Sequence, residues 1–245
     1  MATTPSLTHN GGGDTGAIAH QVKYAVTAHS ANADRVYVMG TSSGGMVTQA
    51  LLAVYPDVFK GGSEFAGVPA GCWSVNNPDG QWSGPCAGGQ VTHTAKEWGD
   101  MARAMYAGYT GFRPRIQLWH GDADTTISPV NQTEAIKQWT DVLGFTTTPT
   151  MTTTETVSGH MFKREQWVDS CGSVVLDAWT EPGGVTKSRR IASTETVAFG
   201  TLAAGPLLAI GFWTSVVGLI GALVAWSMSA KAWKHPQRVP ELTAA

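Results

Sequence analysis

Apolar positions in the first third of the chain recur at helical spacing, close into one short run, and then return to helical spacing. Ile18, Val22, Ala25 and Val26 share one face of a segment that Asp14 can cap and that runs to about Ser30. Arg35-Val36-Tyr37-Val38-Met39 has the form of a short buried strand entering Gly40. From Ser43 to Tyr55 the spacing of Met46, Ala50 and Val54 is helical again until Pro56 stops it. The predicted order is helix, strand, sharp turn, helix.

Further along, Ser63 to Ala66 predicts another short strand, followed by a Gly-, Pro- and Asn-rich excursion to about Gly89. Thr94 opens a helix that carries Trp98, Met101, Ala102 and Met105. Arg115 to Trp119 is strand-like. Ser128-Pro129 then supplies an N-cap and a first-turn proline for a helix with Ile136, Trp139 and Leu143, closed by Gly144. A Thr-rich link leads to two strands, Phe162 to Val168 and Ser173 to Thr180, joined by a hairpin turn at Asp169-Ser170-Cys171-Gly172. Strands alternating with helices imply an α/β layer on a mostly parallel sheet.

The pattern changes at Glu181-Pro182-Gly183-Gly184. No charged residue falls between Glu195 and Lys231, and Leu207 to Trp226 alone has the length needed to cross a bilayer. Trp213 and Trp226 suit the interfaces, and Lys231, Lys234 and Arg238 follow at once. The expected organisation is a hydrolase-like domain over residues 1–184, a linker at 185–196, a transmembrane helix within 197–230 and a short basic tail at 231–245. A buried core helix is the competing reading of the apolar stretch. The first residues, Met1 to Leu7, are polar and lack the features of a secretory signal, so the start has the appearance of an internal one.

Composition narrows the function classes. Charged residues make up 14% of the chain, the net charge is −2, and Lys and Arg form no basic stripe, which argues against nucleic-acid binding. Neither a Walker loop nor a dinucleotide fingerprint occurs, so no cofactor is implied. Three cysteines and seven histidines nowhere assemble paired ligand doublets, which leaves a metal site unsupported. Of the cysteines, Cys72 and Cys86 bracket a polar loop and are the favoured disulfide, with Cys171 left over; free thiols remain the alternative. Asn131-Gln132-Thr133 is a glycosylation triplet of a kind that is common by chance.

Gly40-Thr41-Ser42-Ser43-Gly44 carries the chemistry. A strand before it and a helix after it match a nucleophile elbow, in which a sharp turn lifts the Ser42 hydroxyl above the sheet and sets the Ser43 backbone N–H at an oxyanion. A hydroxyl needs a base, and the base an orienting acid; in this architecture the chain order is serine, acid, histidine. Trp119-His120-Gly121-Asp122-Ala123-Asp124 leaves a predicted strand beside the elbow, making Asp124 the acid and Asp122 its alternative, with His120 shaping the loop. The stretch Glu181 to Arg190, where the base is expected, contains no histidine. His160 is the nearest substitute, since antiparallel pairing of the last two strands brings it near Glu181.

These residues also resemble a family. Ser6 to Asp14, the elbow with Tyr55-Pro56-Asp57-Val58-Phe59, Phe65 to Cys72, and Trp119 through Asp124 are similar in order to blocks of the fungal acetylxylan and feruloyl esterases of carbohydrate esterase family one, relatives of polyhydroxybutyrate depolymerases. The resemblance spans about Ser6 to Gly184. It implies an α/β-hydrolase fold, secretion, a plant cell-wall polysaccharide ester as substrate, Ser42 as nucleophile and Asp124 as acid. It further implies a fold incomplete at the N-terminus, where strands and an oxyanion loop are expected, and a departure after Gly184 where the histidine is expected. From this follow two rival expectations: an acetyl or feruloyl esterase working through an acyl-enzyme, or an inactive membrane-tethered remnant that at most binds glycans through Trp73 and Trp82. A lipase or peptidase on the same fold is the third.

Overall fold

The computed structural model of the protein describes residues 3–75, 77, 82–185 and 208–212. The described strands, from β1 at Val36–Thr41 through β2 (Gly61–Phe65), β3 (Arg115–Gly121), β4 (Met151–Val157), β5 (His160–Val168) and β6 (Val174–Glu181) to β7 at Leu208–Phe212, form one mixed sheet in the order β4-β5-β6-β3-β2-β1-β7. β1, β2, β3 and β6 run parallel, as expected of strands linked through helices. β5 pairs antiparallel with β6, and β4 antiparallel with β5.

The helices follow the apolar spacing closely. α1 spans Gly13–His29, α2 Ser43–Val54, α4 Ala95–Ala104 and α5 Val130–Leu143. Thr94 caps α4 in a reciprocal capping box with Glu97, and Gly144 ends α5 in the left-handed region at φ 80°. α5 begins one residue later than its cap signal suggests: Pro129 is the N-cap, and the Ser128 hydroxyl accepts from the Val130 N–H. Within the loop excursion lies a short helix, α3 (Gly84–Ala87).

β4 replaces the expected Thr-rich link. Its sequence, Met-Thr-Thr-Thr-Glu-Thr-Val, shows no apolar alternation because the strand is largely exposed. Threonine nonetheless suits a pleated edge, being stiff at its first side-chain torsion.

The apolar stretch after Glu195 needs a second correction. Leu208–Phe212 is not helical but forms β7, parallel to β1, so that the free side of β1 is paired. A continuous apolar run has the same appearance in a buried parallel strand as in a helix, and periodicity does not separate them. No described helix is long and apolar enough to cross a membrane. The rest of the transmembrane expectation, and the basic tail, lie outside the described residues.

One face of the sheet carries the main core. α2 packs on β1 and β2, α5 on β3 and β6, and α4 on α5. Val36, Val38, Leu51, Leu52, Ile116, Leu118, Trp139 and Leu176 meet there. From Gly44 to Val54 every residue of α2 is buried, so this helix is held by packing on all sides. Leu51 and Leu52 are both fully buried, each worth roughly 1.5–3 kcal/mol over exposure.

Candidate active site

The chain reverses between β1 and α2 at Ser42, whose backbone stands at φ 57° and ψ −120°. A non-glycine residue there costs on the order of 1–3 kcal/mol and persists only where its surroundings enforce it. The enforcement is visible. The Ser42 N–H donates to the Phe65 carbonyl at the end of β2 (2.8 Å), and the Met46 N–H donates to the Ser42 carbonyl (3.1 Å). Gly40 lies so close to Gly44 that a Cβ on it would fall within the Gly44 backbone. The two glycines of the motif therefore let strand and helix cross without a gap.

Ser42 and Ser43 open into a cleft of about 260 Å³, whose other walls include Asp14, Met46, Val68, Trp73 and Trp82. Ser43 is the first residue of α2, where the helix dipole favours negative charge. Trp73 and Trp82 meet edge to face with centroids 5.1 Å apart, and Trp82 is 64% exposed. The wall that carries them is fastened by a disulfide between Cys72 and Cys86, both fully buried. Cys171, in the β5–β6 turn, is a free and exposed thiol.

The acid candidates sit past the end of β3. Asp124 is buried and its Oδ1 accepts from the N–H groups of Thr126 (2.8 Å) and Ile127 (3.1 Å). Asp122 is exposed, and its Oδ1 accepts from the Gly183 N–H at 2.6 Å. His120 closes the loop, its Nε2 donating to the Ile127 carbonyl at 2.9 Å. Burial pushes its imidazole below the ordinary histidine range, against the opposing pull of the Ile127 carbonyl and the Asp124 charge.

His160 lies where antiparallel pairing places it, opposite Val157 at the start of β5, with Nδ1 3.3 Å from a Glu181 carboxylate oxygen. In the order β5-β6-β3-β2-β1 it is four strand spacings from the elbow strand, roughly 19 Å of sheet. The structure does not bring it to Ser42. The glycosylation triplet is likewise out of play, since Asn131 is 1% exposed and its amide donates to the carbonyls of Cys86 and Ala87.

One residue of this site carries no sequence signal. Glu64 on β2 stands opposite Gly40, directly behind the elbow, and is fully buried. A single carboxylate inside a short strand has no spacing to mark it. Among the described residues, no group of histidines, cysteines and carboxylates is arranged to hold a metal ion.

Residues 8–169 match the model of the prolyl oligopeptidase family. Acetylxylan esterase A of Emericella nidulans is 47% identical over 146 residues, covering 59% of this chain and 48% of that protein. Acetylxylan esterase A of Talaromyces purpureogenus is 44% identical over the same length, covering 59% of this chain and 38% of that protein. The chain thus spans about half the length, or less, of the curated relatives it matches. Among solved structures, the acetyl xylan esterase from Aspergillus awamori superposes with a TM-score of 0.68 at 36% identity, over 75% of this chain and 66% of that one. Elbow and acid loop both fall inside the matched stretch, and the α/β sheet that orders them is shared with a solved relative: the chain belongs to the prolyl oligopeptidase family and is akin to the fungal acetylxylan esterases.

Proposed function

We propose that the protein is a serine carboxylic-ester hydrolase acting on esterified plant cell-wall polysaccharide, with Ser42 as nucleophile. The observation that carries this reading is the backbone of Ser42, held at positive φ on a strand-to-helix turn that opens into a cleft. In the reaction, Ser42 Oγ bonds to the acyl carbon while a base takes its proton. The sugar oxygen then leaves with that proton, and water releases the acyl group from Ser42. The negative charge that builds on the carbonyl oxygen falls to the Ser43 N–H at the start of α2. Asp124 is the acid proposed to orient that base, a role that His160, four strands away, does not fill. Asp122, exposed to solvent where Asp124 is buried, is the weaker choice.

The substrate class is supported by the relatives, named acetylxylan esterases, and by the aromatic pair Trp73 and Trp82 on the cleft wall. Indole faces stack on sugar rings, and acetyl is a small acyl group. An extracellular location fits the Cys72–Cys86 bond, which persists in oxidising compartments. A peptidase is the second reading, favoured by the family to which the chain belongs.

A fluorophosphonate probe applied to the full chain tests the nucleophile. Label on Ser42 alone, lost in Ser42→Ala, supports it; label elsewhere with Ser42 untouched overturns it, and no label at all favours an inactive remnant. Acetylated xylan, a feruloyl ester and a proline-containing peptide amide, assayed side by side, separate the substrate classes. Faster turnover of the peptide amide than of both esters would install the peptidase.

A further inference from the structure

Glu64 is placed where an acid is least expected. On β2 it lies between Gly40 of β1 and Leu118 of β3, and it is wholly shielded from water. Its Oε2 accepts from the Gly67 N–H at 2.6 Å, while its Oε1 is buried with no hydrogen-bond partner. Two backbone segments close over the carboxyl. A Cβ on Gly45, in the first turn of α2, would stand 3.1 Å from Oε2, and one on Gly67, in the loop after β2, would stand 2.5 Å from it. Both segments are therefore glycine where they meet this side chain. Gly67 also backs onto Gly45 and Met46 directly.

We propose that Glu64, in its uncharged form, is a positioning residue for the elbow: it clasps the Gly67 loop to the first turn of α2 and so holds the backbone that presents Ser42. Its contact with substrate is nil; it acts through Gly45 and Gly67. The groups packed against it set no charge to balance an ionised carboxylate. Gly40, Leu118, Gly45 and Gly67 are neutral, and α2 contains no ionisable side chain. Burial accordingly pushes the Glu64 carboxyl up to about 8, with the Gly67 N–H pulling the other way. Ionisation would put an unpaired charge beneath the turn that carries the nucleophile.

A folded-state value raised from 4.5 to about 8 means that the folded chain keeps a proton the unfolded chain has lost. The contribution is complete below the unfolded value and is lost as pH rises toward and through about 8. Glu64→Gln keeps the shape and the acceptor for Gly67 but cannot ionise, so it should remove that loss. Glu64→Ala removes the clasp altogether.

The experiment uses the full chain, its Glu64→Gln and its Glu64→Ala variants, between pH 5 and 9. The first readout is thermal midpoint: the advantage of Glu64→Gln over the parent should grow with pH and level off above about 8. A pH-independent difference would overturn the proposal. The second is the rate at which a fluorophosphonate labels Ser42, taken as the ratio of variant to parent so that other titrations cancel. For Glu64→Gln the ratio should be near one at pH 6 and rise to about ten at pH 9, where only about one parent molecule in ten would keep the neutral acid. Glu64→Ala should label slowly at every pH. A flat ratio for Glu64→Gln, or full-rate labelling of a folded Glu64→Ala, would overturn the positioning role. This second readout rests on Ser42 as nucleophile. If the parent never labels at Ser42, that assignment falls, and the midpoint readout still decides whether Glu64 is a neutral clasp.

Discussion

The elbow and the acid loop end neighbouring parts of one sheet, but they are held by opposite means. At the elbow the constraints come from the motif and from the strand beside it: Gly40 abuts Gly44 and Met46 bonds back to Ser42, while the Phe65 carbonyl and the Gly67 backbone behind Gly45 belong to the end of β2 and the loop after it. Past β3 the constraints are remote. A Cβ on Gly121 would strike the backbone of Gly184, the Ala123 N–H donates to the Gly184 carbonyl, and Asp122 reaches Gly183 across 61 residues of chain. The elbow is a strained turn locked by its own glycines and by the neighbouring end of β2. The acid loop is a relaxed turn, with Asp124 satisfied by Thr126 and Ile127, whose position depends on where Glu181 to Gly184 comes to rest. Strain belongs with the proposed nucleophile and tertiary docking with the acid.

The sharpest way to break this contrast is Gly40→Ala. A methyl there has no flexible neighbour to displace, only the Gly44 backbone, so strand and helix must separate. The expected cost is on the order of 4 kcal/mol or more, read as a lost or strongly lowered unfolding transition. Gly84→Ala, with nothing within 4 Å, is the control and should leave the midpoint nearly unchanged. A folded Gly40→Ala that still labels at Ser42 would show the elbow to be looser than its packing implies.

Next in size is the acid. Asp124→Asn keeps the shape and one acceptor for Thr126 and Ile127 but cannot hold a charged base, and turnover should fall by about 10⁴. Asp122→Asn should change turnover by a few-fold, because its role is to catch the Gly183 N–H. Equal losses from the two substitutions would mean that loop docking, rather than charge, is what Asp124 supplies.

The cleft wall should respond in stability before it responds in chemistry. Replacing both Cys72 and Cys86 by Ser removes a closure of 14 residues, worth about 3 kcal/mol by the loop-entropy relation. The loss should appear as a lower thermal midpoint with Ser42 still reactive toward the small probe. If labelling failed in a folded double variant, the wall would be shaping the elbow itself.

His120 gives a smaller, pH-dependent effect. Its imidazole is held below the ordinary histidine value by burial, so the folded chain resists a proton that the unfolded chain accepts below about 6.5. Stability contributed there is present at neutral pH and lost as pH falls below that range. A His120→Gln variant should show a shallower decline of thermal midpoint on acidification than the parent, and a steeper one would refute the burial account.

These contrasts also explain what could be seen in the chain beforehand. α1, α2, α4, α5 and the strands β1, β3 and β6 are legible because each carries apolar residues at a helical period or in a short run, and the elbow because its glycines stand two residues to either side of its serine. β4 was hidden by exposure, since Thr152 to Thr154 need no apolar alternation at an edge. β7 was hidden by the opposite fault: an unbroken apolar run has no period, and only the pairing with β1 identifies it as a strand. Glu64 was invisible because its meaning lies in Gly45 and Gly67, which approach it only once β2 and α2 have met. Asp122 and Asp124 looked alike for the same reason, and the partner that tells them apart, Gly183, is remote.

The smallest expected effect concerns His160, the one histidine that strand pairing draws toward the loop at Glu181. Its side chain is 40% exposed and its carboxylate partner lies 3.3 Å away, so the pair is a surface contact of the kind worth about 0.2–1 kcal/mol. Its place on β5 separates it from the elbow strand by β6, β3 and β2, a distance that an imidazole on a fixed strand does not cross. His160→Ala should therefore lower the midpoint by no more than a degree or a few, with the Ser42 labelling rate within twofold of the parent. The comparison is decisive because a general base contributes far more: losing it costs on the order of 10⁶ in turnover in a comparable triad. A loss of a hundredfold or more in His160→Ala, with the fold intact, would require the hairpin of β4 and β5 to swing over the sheet end and would make His160 the base.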